Sequence, residues 1–425
     1  MPPALVESAR LLYEHQPLPR IKAAESARLP EVIRRIEDLL CSAVREGRRL
    51  LVLLAGVPGS GKTLAGLQVA HSRNLGTKGL FLSGNGPLIQ VLRYALGGMR
   101  EFVDDLYAVV REHLARRPSA PPERVIVFDE TQRAWDRDRV MARHGELADS
   151  EPALLRRLAE RTSGGFGLLA LLGEGQEIHV GEEGGLALWA EALRGRAGWQ
   201  VVGPPGREGP FVRAGVPYAA DPLLELTSTL RSPRASNLAL WAGLLLEGRL
   251  ERAREVALEM RASGYLLLRS RRLDPLRQFA RNRYEGIPGK CYGLILSSRH
   301  RHVPKELGIR TASNRFYYYG PWFLDPPSSP RSACRLDLAI SEFGCQGLEL
   351  DLPILLWGPD LRWDGQEWGL GRHRRNPQVR DPLRLRRNAY RVLLTRGRDG
   401  LLIHVPPSLE DIEEALAQAG VEPVG

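Results

Sequence analysis

Eight consecutive residues, Gly56-Val57-Pro58-Gly59-Ser60-Gly61-Lys62-Thr63, join unusual backbone freedom to one cation and one hydroxyl. Glycines at this spacing let a chain curl until its N–H groups converge on phosphate oxygens, and a helix opening there turns its positive dipole end to the same anion. Gly56, Pro58, Gly59, Ser60 and Gly61 then form the cradle, Lys62 meets the β and γ phosphates, and Thr63 offers its hydroxyl to Mg²⁺. A second group is Val125-Ile126-Val127-Phe128-Asp129-Glu130, an apolar run ending in two carboxylates. Asp129 suits Mg²⁺ through its water shell, and Glu130 suits the proton of an attacking water. Gln132, two residues on, can sense phosphate. Gln176, just past the apolar run Leu168–Leu172, is placed to report on the γ-phosphate. The chemistry implied is hydrolysis of a nucleoside triphosphate such as ATP with Mg²⁺.

Such side chains need a rigid frame, and the apolar pattern supplies one. Leu50–Ala55, Gly79–Leu82, Arg124–Phe128 and Leu168–Leu172 read as short buried strands separated by helical stretches. That alternation predicts a parallel sheet wrapped by helices, with the phosphate loop between the first strand and its helix. The Gly/Pro-rich stretch from Gly203 to Pro217 reads as a loop near the end of this unit. A chain of 425 residues exceeds the usual size of a single core, so a first domain over 1–225 and a second over 226–425 are expected. Candidate strands of the second are Tyr265–Leu268, Tyr292–Leu296, Arg335–Ile340, Ile354–Trp357 and Leu401–Val405.

The net charge is +10, and an apolar fraction of 43% with 26% charged residues is ordinary for a globular protein. Basic balance points to polyanionic partners. Lys22, Lys62, Lys78, Lys290 and Lys305 are the only lysines, so arginine, the better bidentate phosphate ligand, supplies the rest of the 60 basic residues. Cys41, Cys291, Cys334 and Cys345 lie far apart, a spacing that argues against structural zinc or a redox dithiol. Charges and prolines in the first 20 residues do not suit a signal peptide, and no segment has the length of a membrane span. A cytoplasmic protein is the expectation.

Beyond the ATP-directed residues, three segments occur in an order that carries a resemblance: Leu230-Arg231-Ser232 ahead of a helical stretch, Glu342 to Asp351 with Gln346-Gly347-Leu348-Glu349, and Asn388 to Arg398 with Leu394-Thr395-Arg396-Gly397. They resemble motifs IV, V and VI of superfamily 1 helicases. Within that superfamily the chain looks most like the bacterial Schlafen-type DNA/RNA helicase domain family, on Phe128-Asp129-Glu130-Thr131-Gln132-Arg133-Ala134-Trp135, Trp357-Gly358-Pro359-Asp360-Leu361 and Tyr390 to Gly397. The resemblance implies two RecA-like P-loop NTPase domains, each a mainly parallel α/β sheet flanked by helices, with ATP bound in the cleft between them. It also implies that Arg231 and Arg396 act as arginine fingers on the γ-phosphate and that Gly347 and Glu349 contact the nucleotide.

Motors of this class pass a single strand of DNA or RNA across both domains, gripping phosphates and stacking bases. Asn85, after the second strand, resembles a motif Ia contact. Ser298 and Arg299 follow a strand of the second half in a comparable position. Among the arginines, those from Arg269 to Arg283 read as the solvated face of a helix. Those from Arg372 to Arg387, including Arg384 and Arg387, read as a proline-containing loop able to follow a phosphate backbone. Phe316 to Trp322 could stack bases, although such clusters more often pack a core. The expected function is an ATP-dependent motor on single-stranded DNA or RNA. A second reading stays open: an ATP-dependent switch that licenses a partner, such as a nuclease in defence or repair, without travelling.

Overall fold

A computed structural model describes residues 28–424, apart from 58, 99–101, 117–118, 146, 174–184, 228–232, 301–306, 313–317 and 372–380, and before them Leu11 alone. The chain divides into two compact units, Met1–Arg231 and Ser232–Gly425. Gln176 and Arg231 fall outside the described residues.

In the first unit the strands are β1 (Arg49–Gly56), β2 (Gly79–Ser83), β3 (Val103–Asp105), β4 (Val125–Phe128), β5 (Phe166–Gly173), β6 (Trp199–Gly203), β7 (Tyr218–Ala220) and β8 (Glu225–Leu226). They form one sheet in the order β3-β2-β4-β5-β1-β6-β7, with β8 paired to the end of β1. Its pairings are parallel, and β1 and β5 run in register from Arg49↔Phe166 to Gly56↔Gly173. Residues 50–56 of β1 are all buried. A parallel strand covered on both faces has no solvent side, so it reads as an unbroken apolar run rather than an alternation. Truncating one such leucine to alanine costs about 2–5 kcal/mol.

Three helices position the site. α1 (Leu29–Arg45) buries Leu29, Val32, Ile36, Leu40 and Ala43, one stripe at helical spacing. α2 (Lys62–His71) begins right after the glycine-rich loop. Gly66 lets it sit hard on the sheet: a Cβ there would fall 2.7 Å from Leu171 and 2.9 Å from Val127. α3 (Gly86–Ala95) follows β2 and is capped by Asn85. After β4, α4 (Arg137–His144) and α5 (Glu151–Arg161) bring Val140, Leu154, Leu155 and Leu158 into the same buried core as Ile126 and Phe128.

The second unit has β9 (Leu266–Ser270), β10 (Tyr292–Leu296), β11 (Arg310–Thr311), β12 (Leu338–Ser341), β13 (Leu352–Leu356), a hairpin β14 (Leu361–Trp363) and β15 (Trp368–Leu370), then β16 (Gly400–His404) and β17 (Glu422–Pro423). The main sheet runs β11-β12-β10-β13-β16-β9-β17. Its pairings are parallel, whereas the β14–β15 hairpin is antiparallel. α6 (Leu273–Tyr284) and α7 (Pro382–Leu394) flank it.

Several expectations need correction. The Gly203–Pro217 stretch is not all loop, because it contains a short helix, Gly209–Arg213, anchored by fully buried Phe211. The strand expected from Arg335 starts at Leu338, since Ala333–Arg335 forms a 3₁₀ turn ended by Leu336 at φ 58°. Arg384 and Arg387 lie on α7 rather than in a loop. Pro382 occupies the first helical turn, where its missing N–H costs nothing, and the Asp381 carboxylate accepts from the Arg384 N–H at 2.9 Å. Finally, Tyr319 and Trp322 are core residues at 2% and 1% exposure, which removes Trp322 as a base-stacking surface. Phe316 and Tyr317 lie outside the described residues. In the earlier arginine series, Arg281 and Arg283 are on the exposed face of α6 as expected, but Arg269 lies on β9, where it donates to Glu413 at 2.7 Å, and Arg277 is drawn onto the carbonyls of Leu307 and Leu336.

Candidate functional site

Strand order decides which side chains can meet. The loop after β1 and the acidic pair after β4 both leave the carboxyl edge of the first sheet, with β5 between them. In parallel sheets that edge is where ligands bind, because loops and helix N-termini converge there. Gly59 and Gly61 take φ of 78° and 92°, conformations that side-chain-bearing residues rarely adopt, and so aim the loop into α2. No side chain caps the N-terminus of α2. Its first-turn N–H groups are therefore of the kind an anion satisfies.

Around this loop the sequence-selected residues come together. Lys62 Nζ donates to the carbonyls of Gly56 at 2.7 Å and Val57 at 3.0 Å, so its ammonium lies back along the loop. Thr63 Oγ1 donates to Asp129 Oδ2 at 3.3 Å. Asp129 is buried, and its carboxyl is pushed up to about 7 by desolvation and then by the charge of Glu130, against the pull of the Glu130 N–H, Lys62 and Thr63. Ser60 is fully buried, and its Oγ has no hydrogen-bond partner. A hydroxyl beside a carboxylate, an orphaned buried hydroxyl and an uncapped helix start together fit Mg²⁺ with a triphosphate. The phosphates would satisfy the donors, and the cation would relieve the strain on Asp129.

Glu130 sits at φ 58°, in the left-handed region, where a non-glycine residue costs of order 1–3 kcal/mol. What holds it there is Gln132. The Gln132 side-chain amide donates to Glu130 Oε2 at 2.5 Å, while its Oε1 accepts from the N–H of Gly173 at 2.7 Å. Gly173 ends β5, the strand between the two motifs, and a Cβ there would lie 3.0 Å from Gln132 Nε2. Gln132 is 7% exposed with both ends of its amide engaged. It thus ties the Glu130 carboxylate to the end of β5.

In the second unit the selected residues separate to opposite edges of the sheet. Gly347 and Glu349 precede β13 and Arg396 precedes β16, at the amino edge. Their segments pair through Leu350 N–H to Arg396 O at 3.0 Å and Arg398 N–H to Leu350 O at 2.9 Å. Arg396 is 4% exposed and donates to the carbonyls of Val392 and Leu348 and to Thr395 Oγ1. Glu349 Oε2 lies 3.9 Å from Arg398 Nε. Ser298 and Arg299 lie at the carboxyl edge, after β10. There Ser298 gives both its N–H and its hydroxyl to Glu342 at 2.7 Å. The Asn85 side chain caps α3 through Leu88 N–H at 3.4 Å. Arg384 is exposed at the start of α7, and Arg387 Nη2 reaches the Trp368 carbonyl at 3.4 Å.

On that edge lies a buried polar network that the sequence did not reveal as a network. Ser297 Oγ donates to Asp360 Oδ2 at 2.6 Å and accepts from Arg386 Nη1 at 2.7 Å, Arg386 lies 3.1 Å from Asp360 and 4.0 Å from Glu342, and Tyr390 donates to Asp360. Burial raises the Glu342 carboxyl. The available signal was a charged residue close behind an apolar strand, as Glu342 follows β12 and Asp360 follows β13. Among the described residues no group of three or more His, Cys, Asp or Glu side chains could hold a metal ion by itself.

The family model described as Schlafen group 3, DNA/RNA helicase domain, matches residues 49–407. No curated protein matches the chain. Among solved structures, it is similar to the PRRSV helicase at 10% identity and a TM-score of 0.31, covering 88% of this chain and 54% of that one. The chain thus spans about half the length of that relative. It is also similar to the helicase domain of Pyrococcus furiosus Hef, at 12% identity and a TM-score of 0.29, over 90% of this chain and 97% of the other. A third similarity is to a Pif1 helicase from a study of unwinding at forked dsDNA, at 13% identity and a TM-score of 0.37, over 92% and 97% of the two chains. Two mainly parallel sheets flanked by helices make this chain α/β.

Proposed function

The chain belongs to the Schlafen group 3 DNA/RNA helicase domain family, and from that premise we propose that it is a superfamily 1 motor that hydrolyses ATP to move along or remodel single-stranded DNA or RNA. The observation that carries this reading is the convergence of Lys62, Thr63, Asp129 and Glu130 on one sheet edge around the unpartnered Ser60 hydroxyl. In it, Lys62 exchanges the carbonyls of Gly56 and Val57 for the β and γ phosphates. Thr63 and Asp129 hold Mg²⁺, which supplies neutralisation of charge on the phosphate oxygens. Glu130, oriented by Gln132, takes the proton of the attacking water.

In the same proposal Arg231 and Arg396 are charge partners of the γ-phosphate, Gly347 and Glu349 contact the nucleotide, and Gln176 reports on its γ-phosphate. Arg396 must trade the carbonyls of Val392 and Leu348 for phosphate oxygens, so its engagement is a two-state event. Among the described residues no helix is long and apolar enough to cross a membrane. A cytoplasmic location is part of the proposal.

The test is ATP hydrolysis by the whole chain with and without single-stranded DNA or RNA, and stimulation by one of them is expected. Hydrolysis that neither polymer changes removes the motor. Displacement of a protein block from a single strand then distinguishes travel from the switch that licenses a partner.

A further inference from the structure

At the same edge of the first sheet, beyond β4, lies a cluster of rings and guanidinium groups that the ATP chemistry does not use. Trp135, half-buried just after the acidic pair, has the Arg139 guanidinium carbon 4.2 Å from its ring centroid and that of Arg143 at 5.5 Å. The His144 ring lies 6.2 Å from Trp135 at 25° and stacks on Tyr107 at 3.8 Å. Arg111 Nη2 donates to His144 Nδ1 at 2.5 Å, from a π-helix, Arg111–Arg116, that follows β3. Such helices are rare and concentrate at functional positions.

One buried carboxylate fixes the cluster from beneath. Glu151, 3% exposed, accepts from the Tyr107 hydroxyl and from the backbone N–H of Trp135, the latter at 2.9 Å. A Cβ on Gly84 would lie 3.3 Å from Glu151 Oε1, so the turn after β2 abuts the same carboxylate. The ends of β2, β3 and β4 therefore meet around Glu151, with Trp135, Arg139 and Arg143 above it. The rigid backing spares a ligand the cost of ordering these side chains.

We propose that Trp135, Arg139, Arg143 and Arg111 form a binding site for single-stranded nucleic acid on the first unit, a nucleobase joining the Trp135–guanidinium stack while flanking phosphates pair with the arginines. This rests on the proposed function and gives it a location. Alternating aromatic faces and planar cations match a strand that carries a base and a phosphate at every step. An acidic peptide would use the charges and leave the rings idle.

The experiment is fluorescence anisotropy of a labelled 15-nucleotide oligo(dT) or oligo(U) titrated with the whole chain, with no nucleotide added. Trp135→Ala weakens binding by about tenfold or more, as loss of one base stack does, and Trp135→Phe restores most of it. The Arg139→Gln/Arg143→Gln pair lowers the slope of log affinity against log salt by about one to two. Unchanged affinity and salt slope in these variants, beside wild-type protein that binds, overturn this site and leave the proposed function standing. Wild-type protein that binds neither oligonucleotide sinks the proposed function itself. Competition by polyglutamate equal to that by the oligonucleotide shows a surface that reads charge alone and also overturns the site.

Discussion

The carboxyl edges of the two sheets carry similar inventories of polar side chains and use them in opposite ways. On the first, Ser60 Oγ is buried without a partner, Lys62 donates to carbonyls of its own loop, and Asp129 is pushed up to about 7. On the second, Ser297, Ser298, Glu342, Asp360, Arg386 and Tyr390 satisfy one another. Buried polar groups cost free energy unless hydrogen-bonded. The first edge thus stores electrostatic strain that an anion and a cation relieve, and the second has used its charges to hold the ends of β10, β12 and β13 together. The difference teaches that selected-looking polar residues at a strand end are functional candidates only where their neighbours leave them unsatisfied.

The sharpest way to break this contrast is Arg386→Met, which strands Asp360 and Glu342 beside each other. It is expected to cost about 3–5 kcal/mol, read as a lower denaturant midpoint. A midpoint equal to wild type would show that the second edge is not self-satisfied. On the first edge, Lys62→Ala should lower ATP turnover by roughly 10²–10³, about 3–4 kcal/mol of barrier, while leaving the denaturation midpoint nearly unchanged. A variant that loses stability instead would put Lys62 in the same structural class as Arg386.

Glu151 tests how much strain the first unit carries. Its carboxyl is pushed up to about 7 by burial, against hydrogen bonds from Tyr107 and Trp135 and the charge of Arg139. For an acid raised above its unfolded value, the native state binds the extra proton. The stabilisation is full below about pH 4.5 and is lost as pH rises through about 7, up to roughly 3 kcal/mol. Glu151→Gln, in which the Tyr107 hydroxyl can turn to accept, is expected to flatten that slope in denaturation measured from pH 5 to 8. An unchanged slope would assign the pH dependence elsewhere.

The smallest effect is Gln132→Ala. Freed from Gln132, Glu130 should lose orientation, with kcat falling about tenfold and KM nearly constant. A rise in KM alone would return Gln132 to the role of nucleotide contact.

Much was legible in the chain because the strongest signals are local. Leu50–Ala55 reads as a covered strand from its own composition, and the glycine spacing after it already demands positive φ at Gly59 and Gly61. Asp129 and Glu130 were found because carboxylates directly after an apolar run are conspicuous. Failures arose where local cues serve two purposes. Pro382 is equally at home in a loop and in the first turn of α7, and only the Asp381 cap and the buried face of the helix decide between them. For Gln132, nothing local reveals that Gly173, far along the chain, donates to its oxygen.

By itself the sequence determined the α/β class, the division into two units and the identity of the residues around the glycine-rich loop, since each depends on periodicity or spacing within a few dozen residues. Tertiary structure alone decided which polar side chains are consumed by one another. Ser298 by Glu342, Arg386 by Asp360 and Tyr107 by Glu151 are pairings between elements brought together by strand order, and hydrogen-bond satisfaction is a property of neighbours in space.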